Sequence, residues 1–102
     1  MTSRYRLAPE AVLDLDSIWI YVRRRAGLSM ADRVEAGIRE KIVFLAKNPG
    51  NGHWRKDLTR EHVKFFKVYS YLFVYRPDTR PLQVVAIVHG RRDLEDLLKD
   101  RA

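Results

Sequence analysis

Two amphipathic stretches of helical period stand almost back to back, parted by little more than Gly27, and this spacing commits half the chain to a helical hairpin. From Pro9 to about Arg25, Val12, Leu15, Trp19 and Val22 recur at intervals of three and four, with Ala11 and Ile18 widening the stripe. Asp14 and Asp16 are placed away from it, and Trp19, lying on it, is read as core. The run Arg23-Arg24-Arg25 followed by Gly27 is the pattern of a helix end: cations near the negative pole of the dipole and glycine just beyond. Ser29 is positioned to cap the next helix, with Asp32 three residues on as a partial capping box. Val34, Ile38, Ile42 and Leu45 trace its apolar face, and Asn48-Pro49-Gly50 ends it. A connection this short forces the two helices to run roughly antiparallel.

On either side of the hairpin the period changes to that of strands. Tyr5 to Ala8 alternates in polarity and stops at Pro9, which suits a first helical turn. After a loop through Asn51-Gly52, the segments Val63–Tyr69, Tyr71–Arg76 and Leu82–Val88 are rich in β-branched and aromatic residues. Pro77-Asp78-Thr79-Arg80-Pro81 reads as the turn of an antiparallel hairpin. The nearly unbroken apolar run from Leu82 to Val88 predicts a central strand or one covered on both faces. From Asp93, Leu94, Leu97 and Leu98 predict a short terminal helix. The expected fold is α+β: an N-terminal strand, a helical hairpin and an antiparallel sheet in the order β-α-α-β-β-β, then the short helix. A chain of 102 residues supports one core, so residues 1–102 are taken as a single domain.

Charge narrows the partners. The chain carries 20 Lys and Arg against 13 Asp and Glu, a formal +7, and between His53 and Arg92 nine basic residues face three acidic ones. An acidic partner is favoured, and nucleic acid and acidic protein both qualify. With no cysteine, disulfides, thiolate metal sites and cysteine nucleophiles are excluded. His53, His62 and His89 lack metal-ligand spacing, and neither a glycine-rich phosphate loop nor a nucleophile-elbow serine occurs. No cofactor or metal is expected, and no catalytic set stands out. The N-terminus lacks the apolar run of a signal peptide and no segment is long and apolar enough to span a bilayer, so the expectation is a cytoplasmic protein without a membrane partner.

Several residues are candidates for contacts. Trp54 lies in the polar loop Gly52-His53-Trp54-Arg55-Lys56, where surface function and packing against the helices are both open. The aromatic residues from Phe65 to Tyr75, interleaved with Lys64, Lys67 and Arg76, have the composition of a stacking platform, although their alternation points to one face in the core. His89, Arg91 and Arg92 follow the expected central strand, where a strand end presents side chains to a partner, and Asp93 is placed to cap the terminal helix. Tyr21 is an aromatic anchor on the first helix.

Four stretches, in order and in spacing, resemble the RelE/ParE toxin superfamily, and its ParE branch more closely. They are Ala8-Pro9-Glu10-Ala11 with Asp14 to Trp19 and Tyr21; Leu45-Ala46-Lys47-Asn48-Pro49 with Gly52 and Arg55-Lys56-Asp57-Leu58; Tyr71 to Arg76; and Val88-His89-Gly90-Arg91-Arg92-Asp93-Leu94. Together they span nearly the whole chain. The resemblance implies the toxin of a type II toxin–antitoxin pair, silenced in a hetero-oligomer by an acidic, ParD-like antitoxin that lays a helix or strand on it.

Within that superfamily the RelE branch cleaves messenger RNA on the ribosome, whereas the ParE branch resembles a binding poison of DNA gyrase. In the RelE branch an arginine stands in the strand matching Tyr71–Tyr75 and a tyrosine in the C-terminal segment; those places here hold Leu72 and Leu98, and only Arg92 falls where another strand-end arginine belongs. Leucine neither moves a proton nor screens a phosphate, which disfavours the ribonuclease. The expectation is therefore a gyrase-directed toxin, with a ribosome-dependent endoribonuclease as the alternative. Trp54, Arg55, His89, Arg91 and Arg92 are taken as facing the target or nucleic acid, and Tyr21, Phe66 and Tyr75 as facing the antitoxin.

Overall fold

The computed structural model describes residues 4–89 together with Leu97 and Leu98. Its elements are β1 (Tyr5–Leu7), α1 (Pro9–Ala26), α2 (Leu28–Lys47), a 3-10 turn (Pro49–Asn51), β2 (Lys64–Val68), β3 (Tyr71–Arg76) and β4 (Leu82–His89). The expected β-α-α-β-β-β order is present. The expected terminal helix from Asp93 lies outside the described residues except at Leu97 and Leu98.

One glycine serves both helices. The Gly27 N–H donates to the Arg23 carbonyl at the end of α1, and its own carbonyl accepts the Ala31 N–H at the start of α2. Its φ of 92° lies in the region that favours glycine, so the chain reverses without an intervening loop. Ser29 is consequently not the cap expected from sequence: α2 begins at Leu28, Gly27 occupies the N-cap, and no side chain caps the helix. Asp32, the expected capping-box partner, instead accepts the indole N–H of Trp19 on α1 at 2.9 Å. Trp19 is thus a half-buried tie between the helices, with the Arg23 guanidinium over its ring at 5.4 Å.

The buried face of α1 is turned from the expected stripe. It consists of Ala11, Asp14, Leu15 and Ile18, while Val12 is 42% exposed. These positions repeat at three and four residues, so the period is right and the phase differs. Asp14, expected to point away, is only 9% exposed because it serves the sheet. The Ile87 N–H of β4 donates to its Oδ2.

The sheet order is β1-β4-β3-β2. The β2–β3 and β3–β4 pairs are antiparallel, as expected, and β1 joins the far edge of β4 in parallel over Leu82–Val84. The loop at residues 77–81 closes the β3–β4 hairpin: the Thr79 hydroxyl donates to the Arg76 carbonyl and accepts the Gln83 N–H. Between β2 and β3 the chain turns on Tyr69 and Ser70 alone, with Tyr69 at φ 56°.

Strand β4 is covered on both faces, as its unbroken apolar run predicted. Leu82, Val84 and Ile87 join Phe73, Tyr75 and the helical residues Leu15, Ile38, Ile42 and Leu45 in the main core. Val85, Ala86 and Val88 join Val63, Phe65, Val74 and Leu98 in a second core on the opposite face. A slip in register pairs Val74 with Ala86 and Tyr75 with Val84, leaving Val85 as the extra residue of a bulge in β4. Each fully buried side chain of this kind stabilises the fold by about 1.5–3 kcal/mol.

Candidate functional site

The residues that can meet a partner gather at the two ends of the β3–β4 hairpin, roughly 20 Å apart for a six-residue strand. At one end, the C-terminal half of α1 and the ends of β3 and β4 enclose a groove of about 510 Å³ lined by Ile18, Tyr21, Tyr71, Val88 and His89 among others. Tyr21 is 54% exposed, with the Arg25 guanidinium 5.0 Å from its ring centre. Tyr71 meets His89 edge to face, with ring centroids 6.1 Å apart. Burial holds the Tyr71 phenol above its ordinary pKa, and the neighbouring Tyr21 phenol adds to the effect. Tyr21 and His89, assigned to two different surfaces from sequence, therefore share one groove. Tyr71 belongs with them, and its place at the start of a strand gave no sign of this.

At the other end, Trp54 is held at the sheet margin by its neighbour. The His53 N–H donates to the Phe65 carbonyl and the Phe65 N–H donates to the His53 carbonyl, both at 2.8 Å, which adds an isolated rung outside β2. Trp54 itself remains 43% exposed. The Lys56 and Lys64 ammonium groups stand 4.8 and 4.9 Å from its ring centre, and the His62 ring packs against it at 4.8 Å. His62 is in turn paired with Asp78 through Nε2 and Oδ2. Between the two readings left open by sequence, the structure places Trp54 at the surface.

Arg55 beside it is committed elsewhere. Its guanidinium makes two hydrogen bonds to the Asp57 carboxylate, at 3.0 and 2.8 Å. This bond raises the Arg55 pKa and lowers that of Asp57, and the pair lies at the surface. The cations over the indole are instead Lys56 and Lys64, of which the sequence offered Lys64 only as part of a stacking platform with the strand aromatics and not as a neighbour of Trp54. The two-residue offset from Trp54 hinted at Lys56, whereas the local pattern tied Lys64 to the strand aromatics and gave no sign of its approach to Trp54. Gly90, Arg91 and Arg92 lie outside the described residues.

The remaining candidates separate by depth. Phe66 is half-buried on β2, 6.3 Å from Phe44 of α2, which is itself partly exposed. Tyr75, expected to face a partner, is a core residue with no exposed surface. Its hydroxyl donates to the Pro49 carbonyl at 2.7 Å and accepts the Gly52 N–H at 2.9 Å, because it is the group that satisfies the loop leaving α2. Burial raises its pKa, and the bond from Gly52 opposes part of the rise. Leu72 is half-buried and Leu98 buried in the second core, so both supply hydrocarbon packing.

Among the described residues, no group of three histidine or acidic side chains is arranged to hold a metal, and no helix is long and apolar enough to cross a membrane. The helical hairpin on a four-stranded sheet is the architecture expected from the RelE/ParE resemblance, and the family comparison makes the class that of a RelE/ParE-superfamily toxin. The family description "ParE toxin of type II toxin-antitoxin system, parDE" matches residues 5–94, and the chain belongs to this family. It is 32% identical over 72 residues to Toxin ParE1 of Caulobacter vibrioides, a match covering 63% of this chain and 75% of that protein. Among solved structures it is similar to one described as a chromosomal ParDE TA system from P. aeruginosa. The TM-score is 0.70 at 18% identity, over 85% of this chain and 98% of the other, a likeness of fold.

Proposed function

We propose that this ParE-family toxin acts by binding and poisoning DNA gyrase and is silenced by a cognate, acidic, ParD-like antitoxin. The observation that carries the reading is the family match across residues 5–94, joined to the hydrocarbon character of Leu72 and Leu98 where the ribonuclease branch carries an arginine and a tyrosine. Two leucines packed into a core offer neither charge stabilisation nor proton transfer to a phosphodiester. Trp54, Arg55 and His89, with Arg91 and Arg92 of the following segment, are the proposed target contacts. Tyr21 of α1 and Phe66 of β2, aromatic side chains with exposed surface, are the proposed antitoxin contacts. The +7 charge supports an acidic antitoxin captured with electrostatic steering. The name of the P. aeruginosa neighbour, a ParDE system, supports a toxin–antitoxin hetero-oligomer, with a cytoplasmic location proposed alongside.

The test is supercoiling by purified DNA gyrase, with linear DNA scored as trapped cleavage product. Inhibition by the chain, relieved by its antitoxin, is the expected result. Full gyrase activity at a large molar excess of folded chain would overturn the target, and cleavage of translated messages would then establish the ribosome-dependent ribonuclease.

A further inference from the structure

We propose that Trp54, Lys56, Lys64 and Arg80 form a binding platform for an unpaired nucleotide of single-stranded nucleic acid, the base stacking on the indole and the backbone phosphate meeting the cations. This goes beyond the gyrase reading and does not rest on it, since the platform belongs to the chain alone.

Three observations point there. An exposed tryptophan ordinarily costs solubility, yet this one is fixed in place: the His53–Phe65 rung holds the residue before it, and the Lys64 ammonium donates to the Gly50 carbonyl at 3.2 Å alongside. The indole lies in a shallow groove of about 300 Å³ that runs between the 3-10 turn and the β3–β4 loop, with Lys64 and Arg80 on its walls. Two of the nearby acids are already engaged, Asp78 with His62 and Asp57 with Arg55. Lys56, Lys64 and Arg80 have no carboxylate partner among the described residues, so their charge is available.

An aromatic face ringed by cations that no described carboxylate neutralises matches the two parts of a nucleotide, a flat π surface and a phosphate. An ammonium resting on an exposed ring is held weakly, so it yields the face to a base and moves to the phosphate. A duplex keeps its bases stacked inside and offers no face to the indole, which selects single strands. An acidic peptide would engage the lysines and leave the indole unused.

The test is fluorescence anisotropy of labelled oligothymidylate and oligouridylate titrated with the purified full-length chain. Binding of either strand supports the platform, and the preferred strand identifies the sugar. Trp54→Ala is expected to weaken binding about tenfold, as loss of one stacking contact does, and Trp54→Phe to retain most of it. Lys56→Gln with Lys64→Gln is expected to reduce the slope of log affinity against log salt by about 0.7, the contribution of one phosphate contact on a single strand. Circular dichroism confirms folding of each variant, whose changed side chains lie largely at the surface. Equal affinity of wild type and Trp54→Ala, or no binding by either at low salt, would overturn the proposal. Tighter binding to polyglutamate or duplex DNA, insensitive to Trp54, would also overturn it and redirect the surface to a protein or duplex partner. Because Trp54 is also a proposed target contact, binding is read with no gyrase present, so failure of the platform and failure of the target reading are distinguishable.

Discussion

Asp14 of α1 and Ile87 of β4 are joined by a hydrogen bond in which the Ile87 main-chain N–H donates to Asp14 Oδ2 at 3.0 Å. The reason lies in the length of β1. That strand pairs with β4 only over Leu82–Val84, so the same edge of β4 continues past its partner and a helix side chain takes over. Asp14→Leu leaves a buried N–H without that acceptor and is expected to lower the unfolding free energy by about 1–3 kcal/mol. Asp14→Asn keeps an accepting oxygen and should lose less than half as much. Urea denaturation of the three proteins checks this, and equal stability of the leucine variant would contradict it.

Tyr75 and Gly52 are matched in a second way. The Tyr75 hydroxyl occupies the space where a side chain at Gly52 would begin, its Cε1 and Cζ lying 2.9 Å from an added Cβ. Gly52→Ala is expected to destabilise the fold by about 1–3 kcal/mol through overpacking. Gly50→Ala, where an added Cβ meets nothing within 4 Å, should be close to neutral. A thermal melt comparing the two glycine variants distinguishes close packing from a general intolerance of change in this loop.

The buried phenols predict alkaline sensitivity. Tyr71 and Tyr75 both titrate above the ordinary tyrosine value of about 10, mainly because burial penalises their phenolates. Above that value the unfolded chain releases these protons while the folded chain keeps them, so the unfolded state binds fewer protons and stability falls as pH rises. Their contribution is fully present below pH of about 10 and is lost as the pH passes through the folded values. Unfolding free energy measured from neutral to alkaline pH should show this decline, and Tyr71→Phe should flatten it. An unchanged slope in the variant would show that other groups govern the alkaline limit.

On the antitoxin side, the half-exposed Tyr21 ring is expected to be an anchor in its groove. Tyr21→Asp should raise the dissociation constant of the toxin–antitoxin complex at least tenfold, the effect of removing one well-placed aromatic contact and adding a like charge to an acidic partner's side. Asp16→Ala, an exposed neighbour on the same helix, serves as the control and should change affinity little. Calorimetric titration of both variants reads the result. Undiminished affinity of Tyr21→Asp would place the antitoxin elsewhere.

Much of this molecule was legible from local pattern. Period and breakers located both helices, all four strands, the Pro77–Pro81 turn and the doubly covered strand β4, because amphipathic spacing and turn chemistry act over a few residues. The ordered motifs from Ala8 to Leu94 carried the family. What local pattern left out is what depends on neighbours distant in the chain. The rotation of α1 that buries Asp14 was set by an unpaired sheet edge 73 residues away. Ser29 looked like a cap, but Gly27 at positive φ already closes both helices. Tyr75 shares the composition of a surface aromatic, and only the loop carbonyl and amide it satisfies make it core. Trp54 acquires its cations from Lys56 nearby and from Lys64 across the His53–Phe65 rung, and Tyr21 meets His89 only once β4 lies beside α1. Short-range pattern determined the elements and their order; the phase of each face and the grouping of the contact residues were decided by packing and by the need of every buried polar group for a partner.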